Sequence, residues 1–224
     1  MKRFIQAIWL SSFVLLIVGG VNVQAQLVGD MRVQSALLLS DALLLDQATT
    51  DNIVEKYSEI SGKLWQEAQN SGQDFQSMSD EERRKAFSDF RKKTIVGMHE
   101  GLKDTLSEEQ LKEVEPVMMV RVFSPSPELR ALRLTELKDE QKTQLQPLAL
   151  SVTKKMVPSN FAFFGSQMSE EEREKAQTAF DEELASFKKK INAVLNEEQK
   201  AAWQEKIDAI NKEIEELRAQ RQNR

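Results

Sequence analysis

Few residues of this chain could carry out catalysis or hold a metal ion. Among its 224 residues there is no cysteine and a single histidine, His99. A thiol nucleophile, a disulfide framework and a thiolate metal site are therefore excluded, and a histidine-based zinc site or catalytic triad is disfavoured. The acidic run 80–82 (DEE) could hold calcium weakly, but the same charges suit the first turn of a helix. We expect a protein that is not an enzyme and has no catalytic residue, no cofactor and no metal site.

The amino-acid composition favours an all-α, helical fold. The chain has only 8 glycines and 5 prolines, too few for the many tight turns of an all-β protein. Much of the remainder consists of Glu, Lys, Gln, Leu and Ala, which are good helix formers. Since 36 Asp+Glu stand against 31 Lys+Arg, nucleic acid is a poor partner for this chain.

Residues 1–25 follow the three-part pattern of a secretory signal peptide. Lys2 and Arg3 supply a positive start, residues 4–18 are almost wholly apolar, and 23–25 (VQA) place small side chains at a cleavage site. A retained membrane anchor is the alternative, but the apolar run is near the short end of what spans a bilayer. Cleavage after Ala25 removes two cations and moves the formal charge from −5 to −7. We expect a periplasmic protein with no stable membrane insertion after cleavage.

Two patterns recur along the chain at nearly the same offset. Residues 78–83 (MSDEER) return 90 positions later as MSEEER, and residues 106–110 (LSEEQ) return 89 positions later as LNEEQ. A third box, 137–141 (LKDEQ), maps back onto the degenerate segment 48–52. Internal periodicity of this kind indicates repeated structural units. We predict a lead-in at residues 26–47, followed by helical repeats at 48–136 and 137–224 that share one core.

The recurring boxes are typical of helix N-termini. Ser107 can accept a hydrogen bond from the backbone N–H of Gln110, while the Gln110 side chain reaches back to the N–H of Ser107. Asn196 and Gln199 repeat this capping box. The leucine that opens each box, such as Leu106, can pack over the first turn as a hydrophobic staple. Helix capping is therefore a sufficient explanation for most positions of the boxes.

The third box departs from the capping rule. Leu137 and Gln141 occupy its first and last positions, but Lys138 stands where the capping residue is expected. A lysine side chain donates hydrogen bonds and cannot accept one. Thr135, three residues earlier, is the alternative cap for the helix that follows.

The three boxes share a further feature beyond their capping positions. In each of them the glutamine is followed four residues later by an apolar residue: Val114, Leu145 and Trp203. With leucine first and glutamine fifth, this pattern resembles the LTxxQ motif of the Spy/CpxP family of periplasmic proteins, although Ser, Lys and Asn replace its threonine. The chain looks like a divergent, internally duplicated relative. The resemblance implies a helical, often dimeric, cradle-like protein that binds unfolded chains or serves an envelope-stress response.

Two apolar patches outside the boxes are candidates for contact with a client protein. Phe161, Phe163 and Phe164 lie in an apparent loop, whereas Met118 and Met119 lie in the segment that joins the repeats. Clustered aromatic residues make a sticky surface when exposed, and methionine adapts to varied partners. The alternative for both patches is that they fill the core.

The C-terminal segment supports a second hypothesis. Its apolar residues follow one another at spacings of four and three, the pattern of a heptad seam, at Trp203, Ile207, Ile210, Ile214 and Leu217. A structural or regulatory protein could use such a seam to bind one defined partner. A homodimer would likewise cover apolar stripes that one chain leaves open. The leading expectation is binding of unfolded or partner proteins.

Overall fold

The structure is all-α in every part of the chain that it describes. The computed structural model describes residues 33–71, 77–120, 126–156 and 169–222, which contain helices and no strand, so the all-α prediction is confirmed. The helices of these residues are α1 Gln34–Ala42, α2 Gln47–Asn70, α3 Asp80–Gly101, α4 Glu108–Lys112, α5 Val114–Met118, α6 Pro127–Leu134, α7 Asp139–Lys154, α8 Glu170–Val194 and α9 Glu197–Gln222.

The short helix α1 lies at the centre of the fold. Every residue from Val33 to Leu45 except Ser35 is buried, and α1 packs against α2, α5, α6 and α7. A helix that is apolar on all sides belongs in the interior, and the sequence ALLLSDALLL at 36–45 is of that kind. The segment assigned to a lead-in, residues 26–47, therefore contains the helix around which the others pack.

A tight turn after α1 reverses the chain into α2. The N–H of Leu45 donates to the Ser40 carbonyl at 3.1 Å, and the N–H of Leu44 donates to the Asp41 carbonyl at 3.4 Å, which is the Schellman arrangement. Leu44 adopts a φ of 49°, a left-handed conformation that costs a leucine about 1–2 kcal/mol. Its side chain is buried, and burying a leucine stabilises the fold by about 1.5–3 kcal/mol. Burial therefore offsets the strain of the turn.

The buried apolar residues form two clusters, one in each half of the chain. The first cluster is built from α1, α2, α3 and α5, together with Met156 from the residues after α7. The second cluster is built from α6, α7, α8 and α9, and it receives Leu44 from the turn after α1. Because the residues of α1 enter the first cluster and Leu44 of its turn enters the second, this segment joins the two halves.

A buried ionic cluster makes a second connection between the halves. Asp41, near the end of α1, accepts hydrogen bonds from Arg130 Nε at 3.0 Å and from Arg133 Nε at 2.7 Å, both on α6. The side chains of Asp41 and Arg130 are each 1% exposed and that of Arg133 is 5% exposed. The C-terminal end of a helix disfavours a carboxylate, so the two guanidinium groups supply the positive charge that Asp41 requires there.

Helices α2 and α3 lie close together at Gly97. A methyl group added to Gly97 would lie 2.8 Å from Cγ2 of Ile60 on α2, whereas nothing lies within 4 Å of the same position on Gly62. Ile60 is β-branched, so its Cγ2 is held close to the backbone and cannot move away freely. Glycine at position 97 therefore sets the spacing between the two helices.

Exchanging Gly97 or Gly62 for alanine should change the free energy of unfolding in opposite directions. Gly97→Ala should lower the free energy of unfolding by about 1–3 kcal/mol, because overpacking outweighs the helix propensity that alanine adds. Gly62→Ala, in the exposed middle of α2, should raise it by about 0.5–1 kcal/mol. Urea unfolding followed by circular dichroism measures both, and a Gly97→Ala protein as stable as the wild type would contradict the close packing.

Candidate binding surface

The predicted capping boxes form at the starts of the helices. Gln110 N–H donates to Ser107 Oγ at 3.3 Å, and Ser107 N–H donates to Gln110 Oε1 at 3.0 Å. Gln199 N–H donates to Asn196 Oδ1 at 2.8 Å, and Asn196 N–H donates to Gln199 Oε1 at 3.2 Å. The capping role of both boxes is therefore confirmed. It explains the first turns of α4 and α9.

Two further capping boxes open the long helices α3 and α8. Ser79 caps α3 together with Glu82, and Ser169 caps α8 together with Glu172. Hydrogen bonds from the serine hydroxyl and backbone N–H groups hold the pKa values of Glu82 and Glu172 below the ordinary glutamate range. The acidic runs at these two positions thus act as helix starts.

The third box is capped differently from the sequence-based expectation. Lys138 is the N-cap of α7 and makes no side-chain capping bond, while Gln141 Oε1 accepts from its N–H at 2.9 Å. Thr135 does not take over the capping role, because its hydroxyl donates to the Ala131 carbonyl at 2.8 Å within α6. The expectation for Thr135 was therefore wrong, and α7 begins with only the glutamine half of a box.

The glutamines of the boxes at 137–141 and 195–199 pair with each other. Gln141 Nε2 donates to Gln199 Oε1 at 2.8 Å, and Gln199 Nε2 donates to Gln141 Oε1 at 3.0 Å. The amide nitrogens also reach backbone carbonyls, at 3.0 Å to Val194 and at 2.7 Å to Glu136. Since each Oε1 also accepts from its own N-cap N–H, both amides are fully hydrogen-bonded. The pair fastens the start of α7 to the start of α9.

A smaller contact of the same kind occurs in the first half. The Thr105 hydroxyl donates to Asn52 Oδ1 at 3.4 Å, and these residues lie 89 positions before Val194 and Gln141. Helix α2 begins at Gln47, one residue before the predicted boundary at 48, with Asp46 as N-cap accepting from Thr49 N–H at 2.7 Å. The first-half contact agrees with the 89-residue offset, and the duplication itself stays a prediction.

Removing the glutamine pair should reveal coupling between its two members. Gln141→Ala and Gln199→Ala should each lower the free energy of unfolding by about 1–3 kcal/mol, because each leaves partly buried polar groups unpaired. The double variant should lose about 1 kcal/mol less free energy of unfolding than the two single variants lose together. The reason is that the second substitution removes an amide that has already lost its partner. Urea unfolding of the four proteins gives this coupling energy. Strict additivity would contradict the pairing.

The leucines that open the boxes belong to the core. Leu106 is buried in the first cluster and Leu195 in the second, while Leu137 is half-buried against the second. The leucines and glutamines of the three boxes therefore hold helix starts in place, whereas the exposed side chain of Lys138 makes no capping bond. We therefore look for a binding surface outside the boxes.

The methionine patch is divided between core and surface. Met118 is 2% exposed within the first cluster, and Met119 beside it is 44% exposed. Arg91 on α3 donates to the Met118 carbonyl at 2.8 Å and to the Val120 carbonyl at 3.1 Å, which holds this end of α5 in place. The expectation that Met118 contacts a client was therefore wrong, because the folded protein covers it. Of the remaining candidates, Phe161, Phe163 and Phe164 lie outside the described residues.

The heptad seam of α9 is mostly used within the chain. Trp203, Ile207 and Ile210 are buried in the second cluster, and Trp203 Nε1 donates to the Glu128 carbonyl at 3.1 Å. Only Ile214 and Leu217, beyond them, are half-buried. A partner helix could reach the first three residues only by displacing α6, so the seam offers little surface to a second protein.

The outer part of the α2–α3 hairpin has no buried residue. The buried residues of α2 and α3 are confined to the end nearest α1: Thr50, Ile53, Thr94, Ile95 and Met98. We call residues 54–70 and 80–93 the arm. Its two helices run antiparallel from the first cluster, and no arm residue reaches the burial of the core residues.

The arm carries an apolar face that is only half covered. Trp65 and Phe90 pack edge to face across the hairpin, with ring centroids 6.3 Å apart and planes at 83°. The half-exposed apolar side chains of the outer arm are Leu64, Trp65, Ala68, Ala86, Phe87 and Phe90. Aromatic and aliphatic side chains in this state are the usual anchors of protein contacts. The arm is therefore the candidate binding surface.

Two further searches concern possible metal ligands and membrane-spanning helices among the described residues. In the four described stretches no three His, Cys, Asp or Glu side chains come together as a metal site, and His99 is exposed. None of the helices described for this chain combines the length and the hydropathy needed to cross a bilayer. Comparison with known proteins gave no matching family model, no matching curated protein and no matching solved structure.

Proposed function

We propose that the chain is an exported, Spy/CpxP-like helical chaperone that holds apolar segments of unfolded proteins. The observation that carries this proposal is the arm, a two-helix extension with a half-exposed aromatic and aliphatic face and no buried residue. Unfolded chains expose the apolar side chains that such a face can cover, and each Å² removed from water contributes about 25 cal/mol. The chain contributes binding and no catalysis to this function.

The division between core and arm suits reversible capture. The body is fixed by α1, two apolar clusters and the buried ionic cluster, so a client does not have to order it. Among the described residues, the buried side chains of α2 and α3 lie only at the end of the hairpin nearest α1, and helices with few buried contacts open at low free energy. Such a surface can adjust to clients of different sequence, because no single pocket dictates their shape.

The location follows from the N-terminal segment and belongs to the same proposal. Residues 1–25 have the pattern of a cleaved signal peptide, and a chain without cysteine avoids mispaired disulfides in an oxidising compartment. We place the mature protein, residues 26–224, in the periplasm. There it would protect exported proteins from aggregation or serve an envelope-stress response.

Aggregation suppression by the mature chain tests the proposal. An unrelated protein, diluted from denaturant, should scatter less light as the mature chain is added in increasing ratio. Leu64→Lys places a charge on the arm face and should reduce the apparent client affinity by about tenfold, which corresponds to the loss of one buried leucine contact. Light scattering and client-binding titrations measure the two quantities.

Val96→Lys provides the matched control. Val96 lies on the same hairpin but is 64% exposed and outside the apolar face, so its exchange for lysine adds the same charge without touching the proposed surface. Its client affinity should stay within twofold of the wild type. If the mature chain does not suppress aggregation at stoichiometric excess, the chaperone proposal is wrong. If both lysine variants weaken binding equally, the arm is not the surface.

A further inference from the structure

We propose that the arm prefers unfolded segments in which acidic residues stand among apolar ones. This inference rests on the proposed function and adds the class of client. It concerns the outer part of α3, residues 83–93 (RRKAFSDFRKK), which we call the basic ridge. The basic ridge sets cations beside half-exposed aromatic residues of the arm, and the two properties together define the chemistry of the occupant.

The charge of the arm is distributed unevenly. The arm as a whole, 54–70 and 80–93, holds eight cations against seven carboxylates, a net charge of +1. The basic ridge holds six of these cations against one carboxylate, Asp89, a net charge of +5. Of the other six carboxylates, three lie on α2 and three lie in the first turn of α3, where the helix N-terminus stabilises negative charge. The first of these three, Asp80, is 3.9 Å from the Arg83 guanidinium.

Two exposed cations of the basic ridge adjoin its aromatic residues. Arg84 lies three residues before Phe87, and Lys93 lies three residues after Phe90, so each cation is the neighbour of an aromatic side chain on the helix surface. Both cations are exposed, and neither forms an ion pair with any described residue. Their charge is therefore accessible to a client segment that covers Phe87 and Phe90.

Two half-buried arginines lie in the same row of the helix as Phe87. Arg83 is four residues before Phe87 and Arg91 is four residues after it, so each lies about one turn away. Arg83 Nη2 donates to the Met78 carbonyl at 3.0 Å, and Arg91 Nη2 donates to the Met118 carbonyl at 2.8 Å. Bonds to fixed backbone carbonyls hold both side chains in place, so a carboxylate that meets them does not have to order them.

An apolar segment that carries aspartate or glutamate fits this surface best. Its apolar side chains would cover Phe87 and Phe90, while its carboxylates would meet Arg84 and Lys93 beside them. Each exposed ion pair changes an affinity by about twofold, and a basic segment would meet repulsion of similar size at the same two positions. Together these effects predict a preference of about tenfold for acidic over basic segments, which salt should screen.

Two synthetic peptides with identical leucine and phenylalanine positions provide the test. One carries glutamate and the other lysine at the intervening positions, and fluorescence anisotropy reports binding to the mature chain. The mature chain has a formal charge of −7, which by itself favours the lysine peptide, so only cations close to the bound peptide can reverse the order. At about 0.15 M salt, where the Debye length is about 8 Å, the glutamate peptide should bind about tenfold more tightly, and the difference should shrink at about 1 M salt.

The possible outcomes separate this inference from the proposed function. Equal binding of the two peptides, or tighter binding of the lysine peptide, would overturn the inference and leave the proposed function standing. Binding of neither peptide would overturn both. Phosphatidylglycerol vesicles are the further probe: if they bind and neither peptide does, the arm recognises lipid headgroups, and both proposals are wrong.

Matched charge-removing variants locate the preference on one side of the basic ridge. The double variant Arg84→Gln and Lys93→Gln should lose most of the preference for the glutamate peptide. The control, Lys85→Gln and Lys92→Gln, removes two exposed cations of the same ridge. At about 100° per residue these two lysines lie about 140–160° around the helix from Phe90, away from the aromatic side. The control should keep the preference, and equal loss in both variants would show an effect of net charge and overturn the inference.

Discussion

Asp41→Asn is expected to lower the free energy of unfolding by about 3–5 kcal/mol. The substitution keeps the shape of the side chain and removes the only negative charge that Arg130 and Arg133 are shown to share. Breaking a buried ion pair by removing one partner is strongly destabilising because the remaining buried charges lose the carboxylate that both of them contact. Urea unfolding followed by circular dichroism measures the difference.

An exposed aspartate serves as the control for Asp41. Asp208→Asn on α9 makes the same chemical change at the surface and should stay within about 0.5 kcal/mol of the wild type. Replacing all three members of the cluster by apolar residues of similar size should recover much of the stability lost in Asp41→Asn. A cost for Asp41→Asn no larger than that of Asp208→Asn would show that the cluster does not join the halves.

Leu39→Ala is the second substitution with a large expected effect. It should lower the free energy of unfolding by about 3–5 kcal/mol. Leu39 on α1 is fully buried, and removing a buried leucine loses its transfer free energy and leaves a cavity. Leu217→Ala on α9, where the side chain is half-exposed, should cost about 1 kcal/mol. Thermal unfolding should show one cooperative transition that moves to lower temperature for Leu39→Ala, because α1 contacts both halves.

The same experiment tests the role assigned to α1. If α1 were a peripheral segment, Leu39→Ala would cost no more than Leu217→Ala. Two separate transitions, of which only one responds to the substitution, would show that the halves fold independently. Either result would contradict a fold organised around α1.

The sequence was sufficient to predict the fold class and the helix starts at Ser107 and Asn196. Scarce glycine and proline, together with apolar residues at spacings of three and four, indicate helices through local rules. Capping is equally local, because Ser107 and Gln110 are three residues apart and satisfy each other. Features that depend on neighbours within one turn can therefore be derived from spacing alone.

The central helix and the contact between the boxes could not be derived from the sequence. An amphipathic stripe is the signal that identifies a surface helix, and α1 has none because apolar residues occupy all of its sides. The Gln141–Gln199 pair joins residues 58 positions apart, so only the folded structure shows it. The continuous apolar character of 36–45 was the available signal for α1.

The burial of Met118 also depends on packing and could not be derived from the sequence. Met118 and Met119 are identical in type and adjacent, yet one is core and the other is largely exposed. The difference arises because α5 presents one side to α1 and α3, and the helical phase of so short an element cannot be read from an apolar run. Candidate contacts drawn from composition alone are therefore weaker than those drawn from burial.

Hydrogen exchange of the mature chain, with and without a bound unfolded client, tests the central claim most directly. The claim is that the arm receives the client while the body around α1 stays unchanged. Amides of 54–70 and 80–93 should exchange readily in the free protein and become protected when the client binds, whereas those of α1 should not change. Protection confined to α9, or no change anywhere in the presence of bound client, would contradict it.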